Sequence, residues 1–361
     1  MNMAPGGMRM KWVAAAMVCG LAAAQTSVDE PMPRHSDITV NPTIVVAPTT
    51  VTNKEGDFIT GLQTQDFTLY DNERPQKINV DVVYRPISMV IAVQASNMVD
   101  KVLPDIQRMG NVLQDLVIGD EGEAAVLAFD HRIRTMQDFT SDSGRISDAL
   151  KKINAGSSSH VMIDASMEAI RMLRSRPVNR RRILLLFSET RDRGSQGRIR
   201  DALIAAQFAN VLVYSIDISH MMTDLTGEAM PPRPDPIPAE AQHVPPFAPG
   251  TPTSIDSDSR NLGNWLNVLP EIFTAAKYKF VDNPVEVLTR YTGGRQYGFI
   301  KEKALERAMH QLGDELHSQY FLSYQLPEKR EGGFHRIRVE VDKANLVVRT
   351  RPGYWVGPEE H

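Results

Sequence analysis

The chain has 361 residues, 42% of them apolar and 23% charged, a balance that supports a packed globular core and excludes a disordered or collagen-like chain. Forty basic side chains against 44 acidic ones leave a net charge of −4, so there is no electrostatic footprint for nucleic acid. The single cysteine, Cys19, excludes an internal disulfide framework and a thiolate metal site.

Residues 1–24 read as a signal peptide. Arg9 and Lys11 precede the apolar run 12–24, which closes on the small-residue site Ala22-Ala23-Ala24. The run is shorter than the roughly 20 residues that a bilayer-spanning helix needs. The expectation is therefore export, to the periplasm or beyond the cell, with no transmembrane anchor after cleavage. Cys19 lies inside this run, and Val18 ahead of it is not the small residue that a lipid-modified cysteine follows.

Residues 37–85 alternate or run β-branched at 38–40, 43–46, 67–70 and 78–83, with turn clusters around Gly56 and Asn72. They predict a small antiparallel β unit. From Ser88 the pattern changes. The continuous apolar run 89–93 is the mark of a strand buried on both faces, and a helical pattern follows at 99–116. Further strands are predicted at 124–129, 132–139, 183–187 and 211–216, with helices at 141–153, 161–173 and 199–209. Such alternation argues for a mostly parallel sheet covered on both faces.

Residues 221–260 interrupt the pattern with nine of the 23 prolines and are expected to form a disordered insert. Helices are predicted at 264–278, 284–291 and 303–316, with a short strand near Gln296-Tyr297. Antiparallel strands return at 320–324, 335–341 and 346–349, ahead of Arg351-Pro352-Gly353-Tyr354-Trp355. Neither terminal β group is large enough to be stable alone. The expected architecture is one antiparallel β-sandwich built from both ends of the chain, 37–85 and 319–357, with the α/β unit 86–318 inserted into it.

Ligands of open parallel sheets bind beyond the carboxyl ends of the strands. The loops to inspect are Gln94-Ala95-Ser96-Asn97-Met98, Gly156-Ser157-Ser158-Ser159-His160 and the segment that starts at Ser188-Glu189. On these loops, on the lead-in 56–77 with Asp66-Phe67-Thr68-Leu69-Tyr70-Asp71-Asn72, and on the closing Tyr320-Phe321-Leu322-Ser323-Tyr324 and Arg351-Pro352-Gly353-Tyr354, the chain resembles the von Willebrand factor A (VWA) family. It is most similar to the VWFA-related proteins of acidobacteria.

The resemblance implies a Rossmann-like fold and a metal-ion-dependent adhesion site. In that family, Asp-x-Ser-x-Ser, a Thr and a second Asp hold magnesium, and one position stays open for a partner's carboxylate. Carried over by position, these ligands fall on Gln94, Ser96, Met98, His160 with Ser159 beside it, and Glu189. Only Ser96 is unchanged. Gln94 offers a neutral carbonyl, Met98 a thioether that magnesium does not favour, and Glu189 a longer arm. The candidate metal residues are thus Gln94, Ser96, Ser159, His160 and Glu189, in a degenerate site.

Other chemistry finds little footing. The nine histidines are scattered, and none pairs at i, i+4 with a glutamate on one helix face. Ser96 lacks the flanking glycines of a nucleophile elbow, and Gly156-Ser157-Ser158-Ser159 lacks the Gly-Lys-Ser/Thr of a phosphate loop. Arg180-Arg181-Arg182, just ahead of a buried strand, is expected to be a solvated strand entrance. The functional expectation is a non-enzymatic binding or adhesion-type protein without a cofactor, engaging a protein or cell-envelope polymer. A magnesium-dependent adhesion module and a structural component of an exported assembly are the alternatives.

Overall fold

The computed structural model describes residues 44–81, 85–113, 119, 121–192, 194–219, 283–298, 302–326 and 332–356. The expected signal peptide 1–24, strand 38–40, insert 221–260 and helix 264–278 lie outside the described residues. The described amino-terminal segment supplies strands β1 (Ile44–Thr52), β2 (Phe67–Asp71), β3 (Arg74–Gln76) and β4 (Asn79–Asp81).

The next stretch is the α/β unit: β5 (Ile87–Gln94), α1 (Leu103–Arg108), α2 (Gly110–Leu113), β6 (Glu123–Phe129), β7 (Ile133–Thr140), α3 (Ser143–Lys151), α4 (Met162–Arg174), β8 (Arg181–Ser188), α5 (Ile199–Phe208), β9 (Val211–Asp217), α6 (Pro284–Thr292), β10 (Gln296–Gly298) and α7 (Glu302–Ser318). Its sheet has the order β10-β9-β8-β5-β6-β7. All neighbours are parallel except β6 and β7.

The apolar run predicted to be buried on both faces is so placed. Met89, Ile91 and Val93 point into one core with residues of α1, α3 and α7, while Val90 and Ala92 point into the other with residues of α4, α5 and α6. Each helix presents one apolar stripe to the sheet. In α4, for example, Met162, Ala165, Ala169, Ile170 and Leu173 are buried. Helix α3 starts where the Asp142 carboxylate accepts the N–H groups of Gly144 and Arg145, at 2.8 and 3.2 Å.

One expected helix is absent as such. The described part of the pattern, residues 99–113, folds as the two short pieces α1 and α2, with a 3₁₀ turn at Asn97–Val99 before them. Pro104 suits only the first turn of a helix and so starts α1 late. Gly110 starts α2 where its backbone meets α3: a Cβ there would lie 2.8 Å from Ser147 Cα.

The carboxyl-terminal strands are β11 (Tyr320–Gln325), β12 (Gly333–Val341), β13 (Val347–Thr350) and β14 (Gly353–Val356). They interleave with the first four in two antiparallel sheets, β13-β1-β11-β4 and β14-β12-β2-β3. Val45, Ala47, Val51, Leu69, Leu322 and Tyr354 are among the side chains that fill the space between the sheets. The sandwich made from both ends of the chain is therefore the observed architecture. Gln207 of α5 joins it to the α/β unit, donating to the carbonyls of Tyr291 (2.9 Å) and Gly353 (3.2 Å) and accepting the Trp355 N–H (3.2 Å). The ion pair of half-buried Arg349 with the buried Glu315 (2.5 Å) adds a second joint.

Candidate functional site

Parallel pairing sets Val93 of β5 beside Phe187 of β8 and Gln94 beside Phe129 of β6, so the loops that leave these strands converge. Gln94, Ser96 and His160 are fully buried there, and Glu189 is 3% exposed. The Gln94 amide nitrogen donates to Ser96 Oγ and to Glu189 Oε2, each at 2.9 Å, and lies 3.4 Å from His160 Nδ1. Gln94 Oε1 accepts the backbone N–H of Glu189 at 2.8 Å. The two bonds to Glu189 fix the carboxamide orientation, because the flipped amide would face a carboxylate with its carbonyl and an N–H with its NH₂. His160 Nε2 donates to the Arg191 carbonyl at 2.7 Å, so in the neutral ring Nδ1 faces the amide as an acceptor.

Three acceptors thus converge on one point, and a nitrogen that carries hydrogens stands at it. Magnesium demands a near-octahedral set of oxygens at roughly 2.0–2.1 Å. Here the amide nitrogen cannot be a ligand, the amide oxygen is spent on Glu189 N–H, and Glu189 is the sole carboxylate of the cluster. These residues do not fit the ion. Among the described residues, no group of three or more His, Cys, Asp or Glu side chains is placed to hold a metal.

The carried-over positions separate into two sets. Gln94, Ser96, His160 and Glu189 meet in one cluster. Ser159 and Met98 contribute no hydrogen bond to it among the described residues, and Met98 turns outward, 40% exposed.

No family model and no curated protein sequence matches the chain. Solved structures that are similar include the conserved hypothetical protein BatB from Bacteroides thetaiotaomicron, with 18% identity over 36% of this chain and 66% of that one and a TM-score of 0.29. Others are the vWF domain of the type V pili tip protein Mfa5 from Porphyromonas gingivalis (15% identity, 30% and 40% covered, TM-score 0.26) and an aerotolerance-related membrane protein from Bacteroides fragilis (14% identity, 63% and 98% covered, TM-score 0.38). The chain spans less than two thirds of the first two. Identities this low speak to fold alone, and the architecture rests on the strand order and the two helical layers described above.

The six-stranded unit has a VWA-like fold.

A second set of residues supports the loops of this VWA-like domain and was not singled out from the sequence. Asp130, at the end of β6, is 1% exposed and accepts the N–H groups of Arg132 (2.8 Å) and Ser157 (3.4 Å). Burial alone would raise its carboxyl, but these bonds, with the charges of Arg134 and His131, hold it below the ordinary carboxylate range. Gly156 makes this possible: a Cβ there would lie 1.9 Å from Asp130 Oδ2. The signals were an Asp directly after a buried strand and a Gly ahead of the serine run.

The loop after Glu189 is tied to the start of α4. Asp192 Oδ1 and Ser195 Oγ accept the Ile163 N–H at 3.1 and 3.0 Å, and Asp164 accepts the N–H groups of Gln196 and Gly197.

Ser157, His131 and Asp130 bring the three side-chain types of a hydrolytic triad together, but not the connectivity. His131 Nδ1 contacts both Ser157 Oγ (2.8 Å) and Asp130 Oδ1 (3.3 Å), so one nitrogen serves both neighbours and no relay passes through the ring.

The expectation that Arg180-Arg181-Arg182 is a solvated strand entrance is corrected. Strand β8 already includes Arg181, and Arg182 is paired in register with Ser88 of β5 and Val211 of β9, 8% exposed. Arg180 donates to Ser88 Oγ and the Ile87 carbonyl, at 2.7 and 2.8 Å, and lies 3.3 Å from the Glu123 carboxylate.

Proposed function

We propose that this chain is an exported, non-enzymatic binding protein whose VWA-like domain engages another protein or a cell-envelope polymer without a divalent cation. The Gln94 carboxamide carries the reading. It satisfies Ser96 and Glu189 from the point where a cation would have to sit, so the strand-end loops hold their shape without an ion. At the rim above it, Asn97 and Met98 are exposed. Met98 offers an adaptable apolar contact of the kind that interfaces favour.

Export belongs to this reading and is supported by Arg9, Lys11 and the apolar run 12–24. Among the described residues, no helix is long and apolar enough to cross a membrane. The non-enzymatic part is supported by the mutual bonding of Gln94, Ser96, His160 and Glu189, which occupies the groups that a reaction would need.

The test is calorimetric titration of the mature chain with magnesium, manganese and calcium, beside binding to a native envelope fraction with and without chelator. The expected result is no heat, no melting shift, and chelator-independent binding that Asn97→Arg with Met98→Arg weakens. A melting shift at millimolar cation overturns the cation-free mode. Ester, peptide or phosphate hydrolysis that Ser96→Ala abolishes overturns the non-enzymatic one.

A further inference from the structure

At the opposite end of the sheet, a cavity of about 90 Å³ lies where the sandwich meets the α/β unit. Val46 and Pro48 of β1 and Phe321 of β11 form one wall, while the starts of β8 and β9 and the end of α5 form the other. Five arginines line it, at positions 85, 180, 181, 182 and 351, and no acidic residue does among the described residues. Most of these guanidinium groups have protein acceptors. Arg181 donates to Leu316 O and Gln319 Oε1, Arg182 donates to the carbonyls of Ala209 and Arg176, and Arg180 pairs with Glu123.

Arg351 is different. It is 4% exposed, and among the described residues its guanidinium makes no hydrogen bond and no ion pair. Its guanidinium carbon lies 5.6 Å from the centroid of the Tyr354 ring. The Arg182 Nε is a second buried donor with no acceptor among the described residues. Desolvation pushes the Arg351 guanidinium down to about 10, as expected of a cation withdrawn from water without a counter-charge. Buried charges in folded proteins are paired, so a desolvated arginine that lines a cavity with four other arginines calls for an anion.

We propose that this cavity is a binding site for a phosphate-type oxyanion, with Arg351 as its principal ligand. A planar guanidinium presents paired donors that match two oxygens of such an ion. The volume is sufficient, since a tetrahedral oxyanion displaces on the order of two waters at about 30 Å³ each. The positive charge of the remaining arginines adds to the attraction for the ion. The oxyanion is either a free ion or the head group of a phosphomonoester. This site is independent of the strand-end loops, about 25 Å away at roughly 3.3 Å per residue along β8, and stands or falls separately from the binding function proposed for them.

The experiment uses the mature chain. Its melting temperature is followed against sodium phosphate, sodium sulfate and sodium chloride at matched ionic strength, and phosphate affinity is measured by calorimetry. Phosphate and sulfate are expected to raise the melting temperature by several degrees over chloride. Arg351→Gln is expected to weaken phosphate binding by at least ~10-fold, the loss of about 1.4 kcal/mol. Glycerol phosphate that competes with inorganic phosphate identifies a head-group ligand, and failure to compete identifies the free ion.

Equal effects of all three salts overturn the site, as does unchanged phosphate affinity in Arg351→Gln. Should that variant not fold, crystals of the unaltered chain soaked in selenate decide: an anomalous peak beside Arg351 supports the site, and an empty cavity overturns it.

Discussion

At the carboxyl ends of β5 and β8, a buried carboxylate, Glu189, meets a donor that belongs to the protein, the Gln94 amide nitrogen, while the Gln94 amide oxygen accepts the Glu189 backbone N–H. At the amino ends of β8 and β9, five arginines line a cavity along which, among the described residues, there is no acidic side chain. Burial is similar at the two ends, with Glu189 3% and Arg351 4% exposed. The difference lies in completeness. At the Glu189 end the Gln94 amide binds the cluster to itself, whereas at the Arg351 end the Nε donors of Arg182 and Arg351 have no acceptor among the described residues. A position that a fold family uses for a ligand can thus be self-satisfied, while a ligand-demanding site arises at a seam between layers.

The largest expected effect comes from breaking the closed end. Gln94→Leu removes the amide's three hydrogen bonds around a buried carboxylate and is expected to cost about 3 kcal/mol in urea denaturation. Adding Glu189→Leu should recover part of that loss, because removing both partners leaves less polar surface stranded. A strictly additive double mutant would show that the two side chains are not coupled.

The open end should respond with the opposite sign. In anion-free buffer, Arg351→Met removes a desolvated charge and is expected to raise stability by on the order of 1 kcal/mol. The gain should disappear in phosphate, where the unaltered chain is stabilised by ligand. Stability lost equally in both buffers would place Arg351 among ordinary packing residues.

Acid sharpens the contrast from the carboxylate side. In the sandwich, burial would raise Asp71, but hydrogen bonds from His335 (3.0 Å), Tyr354 (2.7 Å) and Tyr324 (2.8 Å) hold it below the ordinary range. Asp130 behaves likewise. The unfolded chain takes up protons first, near a pH of about 3.9. The stability that these groups supply is therefore complete above that value and lost as pH falls through their lower folded values. Urea midpoints measured from neutral pH to pH 3 should fall on the acid side, and Asp71→Asn should flatten that limb. The smallest effect is expected from Met98→Ser, which is within about 0.5 kcal/mol because the side chain is exposed. It should confer no magnesium response while the Gln94 amide holds the centre.

Much of this architecture was legible from residue patterns, and the exceptions have physical causes. Unbroken apolar runs such as 89–93 mark strands covered on both faces, and two β groups too small to stand alone point to a joint sandwich. The breaks in 99–116 were signalled by Pro104 and Gly110 but lost under the apolar periodicity. The role of Gln94 was not legible. Position alone offered its carbonyl as a ligand, whereas the direction of the amide is set by the backbone N–H of Glu189, a neighbour that only the β5–β8 register brings close. Arg182 was misread because three consecutive cations resemble a solvated surface, and only register shows that β8 begins among them.

The sandwich pairs β1 with both β11 and β13, so that Thr49 lies opposite Thr350 at nearly the other end of the chain. The VWA-like domain closes within one continuous stretch, while these pairings close a loop that contains all of it, at a cost in entropy and time. Strand β1 must therefore wait for β11 and β13, and the β2–β3 hairpin for β12 on its open edge. A chain cut short before Tyr320 lacks β11 to β14 and could complete neither sheet, so any truncation there strips β1 and β2 of their partners.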